Sequence, residues 1–198
     1  MTKHVMGKGR LEAFTDGVIA IIVTIMVLEL KVPHGTDGAA LLALWPTFVA
    51  YAISFLTIAI FWVNHHQMFH QAKHIDHWVL WGNLAWLFFA SLVPFTTAYL
   101  GESHLTPLAA MLYAGNMCLV ALGYLWLRIA IACEQKDDPI YQAAHRVAVK
   151  KHYVGIAAYL IALPFAFVSP YIPVAVVLAV AAAYFLPDAW VGEAEKAA

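Results

Sequence analysis

Charge is what this sequence has least of. Only 12% of its 198 residues are Asp, Glu, Lys or Arg, about half the share in a soluble domain. Neither sign is in excess: eleven Lys and Arg face twelve Asp and Glu, for a net charge of −1. That balance excludes the broad basic surface that holds nucleic acid by neutralising phosphates. Cysteine is scarce too. Cys118 and Cys133 have no CxxC partner, so neither a thiol-redox site nor a zinc knuckle is indicated and both read as inert apolar thiols. There is no HExxH, no GxSxG elbow and no glycine-rich phosphate loop. Enzyme readings have no specific support, and no cofactor is expected.

What the chain does have is apolar length, with 63% hydrophobic residues and a mean hydropathy of +0.75. A hydrocarbon core about 30 Å thick takes roughly 20 apolar residues per helix. Six runs emerge between polar breaks: Leu11 to Val32, Leu42 to Phe69, Trp78 to Leu100, Pro107 to Ala132, Tyr153 to Phe167 and Tyr171 to Leu186. The last two are short, and Ser169, Pro170, Tyr171, Ile172 and Pro173 read as the tight turn of a helical hairpin. The expected fold is all-α, a polytopic membrane protein of six helices, with residues 1–198 forming one domain.

Glu12, Asp16 and Glu29 make the first run unlike a cleaved signal peptide, so it stays in the mature chain. Lys3, Lys8, Arg10, Lys73, Arg128, Lys136, Arg146, Lys150, Lys151 and Lys196 fall on or near one set of loops, and only Lys31 on the other. By the positive-inside rule both termini are cytoplasmic, which suits a multi-pass protein of the cell membrane. Trp45, Trp78, Trp81, Tyr99, Tyr153, Tyr171 and Trp190 lie near span ends, where amphipathic rings favour the headgroup layer.

A carboxylate within a span costs about 2.5 to 3.5 kcal/mol on insertion scales, so the first helix holds its acids for something beyond anchoring. At 100° per residue, with Glu12 at 0°, Asp16 falls near 40°, whereas Gly17, Ile21, Thr24 and Leu28 fall between about 120° and 180°. One face carries acids that must find donors; the other carries a narrow stripe with one hydroxyl. On spacing alone the commoner use of such a stripe is helix packing, and Thr24 can bond back to the carbonyl of residue 20.

The end of the second run and the following loop gather Trp62, Asn64, His65, His66, Gln67, His70, His74 and His77. His66, His70 and His74 share a helix face at intervals of four, a spacing that can chelate a divalent ion. Without a paired carboxylate base, the plainer reading prevails: histidines at a wet interface bonded to neighbouring acids, and no metal site.

The segment Arg10-x-x-x-Phe14-Thr15-Asp16-Gly17-Val18-Ile19-Ala20-Ile21, followed by Thr24 and Val27-Leu28-Glu29-Leu30, resembles the first-helix signature of the transmembrane protein 175 family, the endosomal and lysosomal potassium channels and their prokaryotic relatives. Thr15 replaces the family's usual serine and keeps its hydroxyl. Phe61-Trp62-x-Asn64-His65-His66 and Asn83-Leu84-x-Trp86-Leu87-Phe88-Phe89-x-Ser91-Leu92-x-Pro94-Phe95-Thr96 extend the resemblance over the first half of the chain.

The resemblance implies six helices per subunit, a homotetramer in the bilayer, a central pore lined by the first helix, and potassium as the permeant ion. By position it assigns Ile21, Thr24 and Leu28 to the pore, as a hydrophobic constriction and a threonine ring of modest selectivity. Arg10, Phe14, Thr15, Asp16, Trp62, His65, His66 and Asn83 then form a supporting network. The alternatives are a proton- or metal-coupled transporter using Asp16, Glu29 and the histidine row, and a non-conducting scaffold.

Overall fold

A computed structural model describes residues 7–72 and 75–185. Among them all regular structure is helical: α1 (Lys8–Leu28), α2 (Gly38–Leu42), α3 (Trp45–Gln71), α4 (His77–Ala90), α5 (Val93–Glu102), α6 (Pro107–Glu134), α7 (Pro139–Phe165) and α8 (Tyr171–Phe185). The starts are written locally. Asp37, Asp76 and Asp138 cap α2, α4 and α7 by accepting from Ala40 N, Val79 N and Tyr141 N at 2.9, 2.8 and 3.0 Å. Prolines occupy the first turns of α3, α5, α6 and α7, where a missing N–H costs nothing.

By length and composition α1, α3, the pair α4–α5 and α6 can each cross a membrane. The third apolar run is one span broken at Ser91 and Leu92, because Pro94 cannot donate to the helix above it. Its hydroxyl neighbour Ser91 turns back onto the Phe88 carbonyl at 2.7 Å.

Several expected boundaries move. α1 stops at Leu28, four residues before Val32, and the second long helix starts at Trp45 because Leu42 ends the short α2. The fifth differs most: α7 begins at Pro139, where Tyr153 was expected. Residues 139–152 are too polar to register as a span, but Gln142, Ala143, Ala144, Arg146, Ala148, Lys150 and Lys151 are good helix formers behind an Asp cap, so the helix runs on past its apolar half. The hairpin turn falls at 166–170, and Tyr171 to Pro173 open α8. Leu186, Lys73, His74, Lys3, Trp190 and Lys196 lie outside the described residues.

The core is built around α6, whose Tyr113, Met117, Val120, Tyr124 and Leu127 are fully enclosed. α4 lies against it at backbone range. A Cβ on Gly123 would stand 2.8 Å from Trp86 Cα, and one on Gly82 2.9 Å from Leu127 Cα, so two reciprocal glycines set the approach. Close backbone packing replaces the hydrophobic drive that lipid cannot supply. α3 is stitched to α5 and α6 by Ser54, whose Oγ lies 2.7 Å from Thr97 Oγ1 and 2.9 Å from Tyr113 Oη. Lys31 and Glu102 form an ion pair joining the segment after α1 to the end of α5.

Candidate functional site

α1 divides into two faces. Leu11, Thr15, Ile19, Ile22 and Met26, spaced by three and four, are its buried residues and turn toward α3, α4 and α5. Ile21, Thr24 and Leu28 lie about half a turn away and face outward. Ile21 is 57% exposed and Leu28 78% exposed, high values for branched apolar side chains.

Thr24 donates its single hydroxyl proton to its own helix, with Ala20 O at 3.0 Å and Ile21 O at 2.9 Å. The back-bond to residue 20 that the sequence allows is present. Its consequence is that the oxygen's free lone pairs point away from the helix, so the hydroxyl can act outward only as an acceptor.

Behind the stripe two polar links hold α1. Trp62 Nε1 on α3 donates to Asp16 Oδ1 at 2.7 Å. Deeper in, Asn83 Nδ2 on α4 donates to Thr15 Oγ1 at 2.9 Å, while Asn83 Oδ1 lies 2.9 Å from His65 Nε2 on α3. With the amide oxygen accepting, Nε2 carries the proton. His65 is stacked between Phe69 and Trp86, at 4.2 and 4.9 Å between ring centroids. Thr15, Asn83 and His65 are all fully buried, so each polar group spends its capacity on another helix.

The structure thus brings together Thr15, Asp16, Trp62, His65 and Asn83, in two links. His66 stacks on Trp62 at 6.1 Å without bonding the carboxylate. Arg10 and Phe14 are exposed and stand outside both links. His66 and His70 are exposed and His74 lies outside the described residues; among the described residues no three His, Cys, Asp or Glu side chains gather as a metal site. The Ser54–Thr97–Tyr113 cluster was not foreseen, because each member alone is an unremarkable polar residue in an apolar run.

Long apolar helices whose polar groups are satisfied by other helices define a multi-pass membrane protein. The chain belongs to the TMEM175 family. Residues 10–94 match the family described as endosomal/lysosomal potassium channel TMEM175. A potassium channel of Chryseobacterium sp. (strain P1-3) is 40% identical over 184 residues, which cover 92% of this chain and 95% of that one. A potassium channel of Chamaesiphon minutus is 38% identical, covering 89% and 92%. The crystal structure of a lysosomal potassium-selective channel TMEM175 homologue from Chamaesiphon minutus superposes with a TM-score of 0.79 at 34% identity, over 90% of this chain and 96% of that one.

Proposed function

We propose that this chain is the subunit of a potassium channel of the cell membrane, with one six-span domain over residues 1–198 and both termini cytoplasmic. Four copies surround an axis, and α1 of each lines the pore. The observation that carries the reading is the outward stripe of Ile21, Thr24 and Leu28, opposite the face that α1 packs into its own bundle. A single helix cannot enclose a path, so the stripe becomes a lining only when copies assemble.

Rings of Ile21 and Leu28 then form an apolar constriction that gates by dewetting or side-chain rotation. A ring of Thr24 hydroxyls, its protons already committed to the helix, presents lone pairs that replace part of a potassium ion's hydration shell. Sodium holds its water more tightly and is served less well. A few hydroxyls give modest selectivity, weaker than stacked carbonyl rings. Asp16 and Asn83 act behind the lining: they fix the rotation of α1 and with it the radius of the rings. No cofactor is needed beyond the permeant ion.

The test is flux through the purified protein in liposomes under potassium and sodium gradients, with Ile21→Asn alongside. Potassium-favouring flux that rises in the variant is expected. Folded oligomer with no flux above empty liposomes overturns the reading.

A further inference from the structure

The contact of α6 with α7 contains polar chemistry that the pore does not use. Gln142 Nε2 on α7 donates to Ala132 O and Gln135 O at the end of α6, at 2.9 and 3.1 Å. That register places Arg128 of α6 opposite His145 of α7, one turn inward. Tyr141 and His145 stack there with rings 6.3 Å apart. Arg128 bends back over the Tyr124 ring, with Cζ 5.8 Å from its centre.

Four polar atoms in this corner are buried with no hydrogen-bond partner: Arg128 Nε, Gln135 Nε2, Tyr141 Oη and His145 Nδ1. Gln135 is 5% exposed and Tyr141 8% exposed. Two of the four atoms can only donate, and the other two are able to. Leaving such groups unsatisfied costs about 1–3 kcal/mol each, so the corner is built for an acceptor that the described residues do not provide. Arg128 itself takes part in no ion pair among the described residues.

We propose that the α6–α7 corner binds a phosphate-type oxyanion, with Arg128 as the charged anchor and Gln135, Tyr141 and His145 as flanking donors. Its position near the polar end of a span gives two sources, the phosphodiester of an anionic lipid or free phosphate. A phosphate oxygen fits because its several lone pairs satisfy divergent donors together, and the guanidinium supplies the countercharge. The Arg128 charge then becomes half of a pair.

The test is the melting temperature of the purified full-length chain in neutral detergent. Phosphatidylglycerol, phosphatidylcholine, and sodium phosphate against sodium chloride at equal ionic strength are titrated in separately. A rise on the order of 5 °C with phosphatidylglycerol or phosphate, and none with phosphatidylcholine, is expected. A rise with the lipid alone identifies a headgroup; a rise with both identifies the oxyanion itself. Arg128→Gln should abolish the rise, and the exposed Arg146→Gln should keep it. Tyr141→Phe, which removes one oxygen and keeps the ring, should weaken apparent binding severalfold and stands in if Arg128→Gln does not fold. The proposal is overturned if neither probe raises the melting temperature, if folded Arg128→Gln keeps the full rise, if Tyr141→Phe binds like wild type, or if Arg146→Gln loses as much as Arg128→Gln.

Discussion

The indole N–H of Trp62 meets the Asp16 carboxylate at 2.7 Å across the α1–α3 contact, so an acid in the apolar first helix takes its donor from a neutral ring instead of a cation. The pair lies at the exposed edge of the bundle, which limits its worth to about 1 kcal/mol. Trp62→Phe, which keeps an aromatic ring and removes the donor, should lower stability by about that amount. Asp16→Asn in the Trp62→Phe background should recover part of it. Thermal melts of the four forms check the coupling, and additive losses would show that the bond is not felt.

Asn83 sits deeper and does more. It spans Thr15 and His65, all three buried, so Asn83→Leu strands a hydroxyl and an imidazole at once. A loss of about 3 kcal/mol is expected, several times that of Trp62→Phe, with a shift in ion flux if α1 rotates when released. Melting and liposome flux on the same preparation check both.

How far the sequence anticipated this arrangement differs from helix to helix. α1 was readable in part: spacing set the row of Ile21, Thr24 and Leu28 apart, but the packed face is the row of Leu11, Thr15, Ile19, Ile22 and Met26, with Asp16 exposed beside it. The start of α7 was not: apolar length marks where a chain meets lipid, and residues 139–152 form helix beyond that limit. His65 and His66 are adjacent and chemically alike, yet one is sealed between Phe69 and Trp86 and the other faces out. That difference depends on which way α3 turns against α4. Ser54, Thr97 and Tyr113 were hidden for the same reason: their partners are 43 and 59 residues away, and only packing brings them together.

Gly123 and Gly82 allow α4 and α6 to touch backbone to backbone. Gly123→Ala puts a methyl carbon 2.8 Å from Trp86 Cα, where no flexible side-chain end can move aside. The helices must separate, at a cost of about 1–3 kcal/mol. Gly115, whose added Cβ would meet nothing nearer than 3.9 Å, is the control: Gly115→Ala should leave the melting temperature equal or higher. Equal losses at both positions would sink the close-approach argument.

His145, in the polar half of α7, is held below its ordinary value of 6.5 by burial and then by the Arg128 charge. A folded pKa below the unfolded one favours the neutral ring. Its contribution to stability is therefore full above about pH 6.5 and is lost as pH falls through the lowered folded value. Melts between pH 7.5 and about 5 in phosphate-free buffer should show a decline that His145→Gln reduces. An identical decline in the variant would assign the acid sensitivity to other groups.

Thr24 separates the two ways of reading the outward stripe. If the stripe is mere packing, Thr24→Val is nearly isosteric and removes only a back-bond to Ala20 and Ile21 carbonyls that the helix itself already satisfies. Stability and flux would then be unchanged. If the hydroxyl ring contacts the permeant ion, the same substitution removes the one polar atom of the stripe while keeping its width. Potassium flux should fall, and the potassium-to-sodium ratio should drop severalfold. Thr24→Ser restores the oxygen without the methyl group and should keep the ratio near wild type. Reversal potentials under matched potassium and sodium gradients for the three proteins check this. A ratio unchanged by valine would remove the threonine from the selectivity mechanism while leaving Ile21 and Leu28 as the constriction.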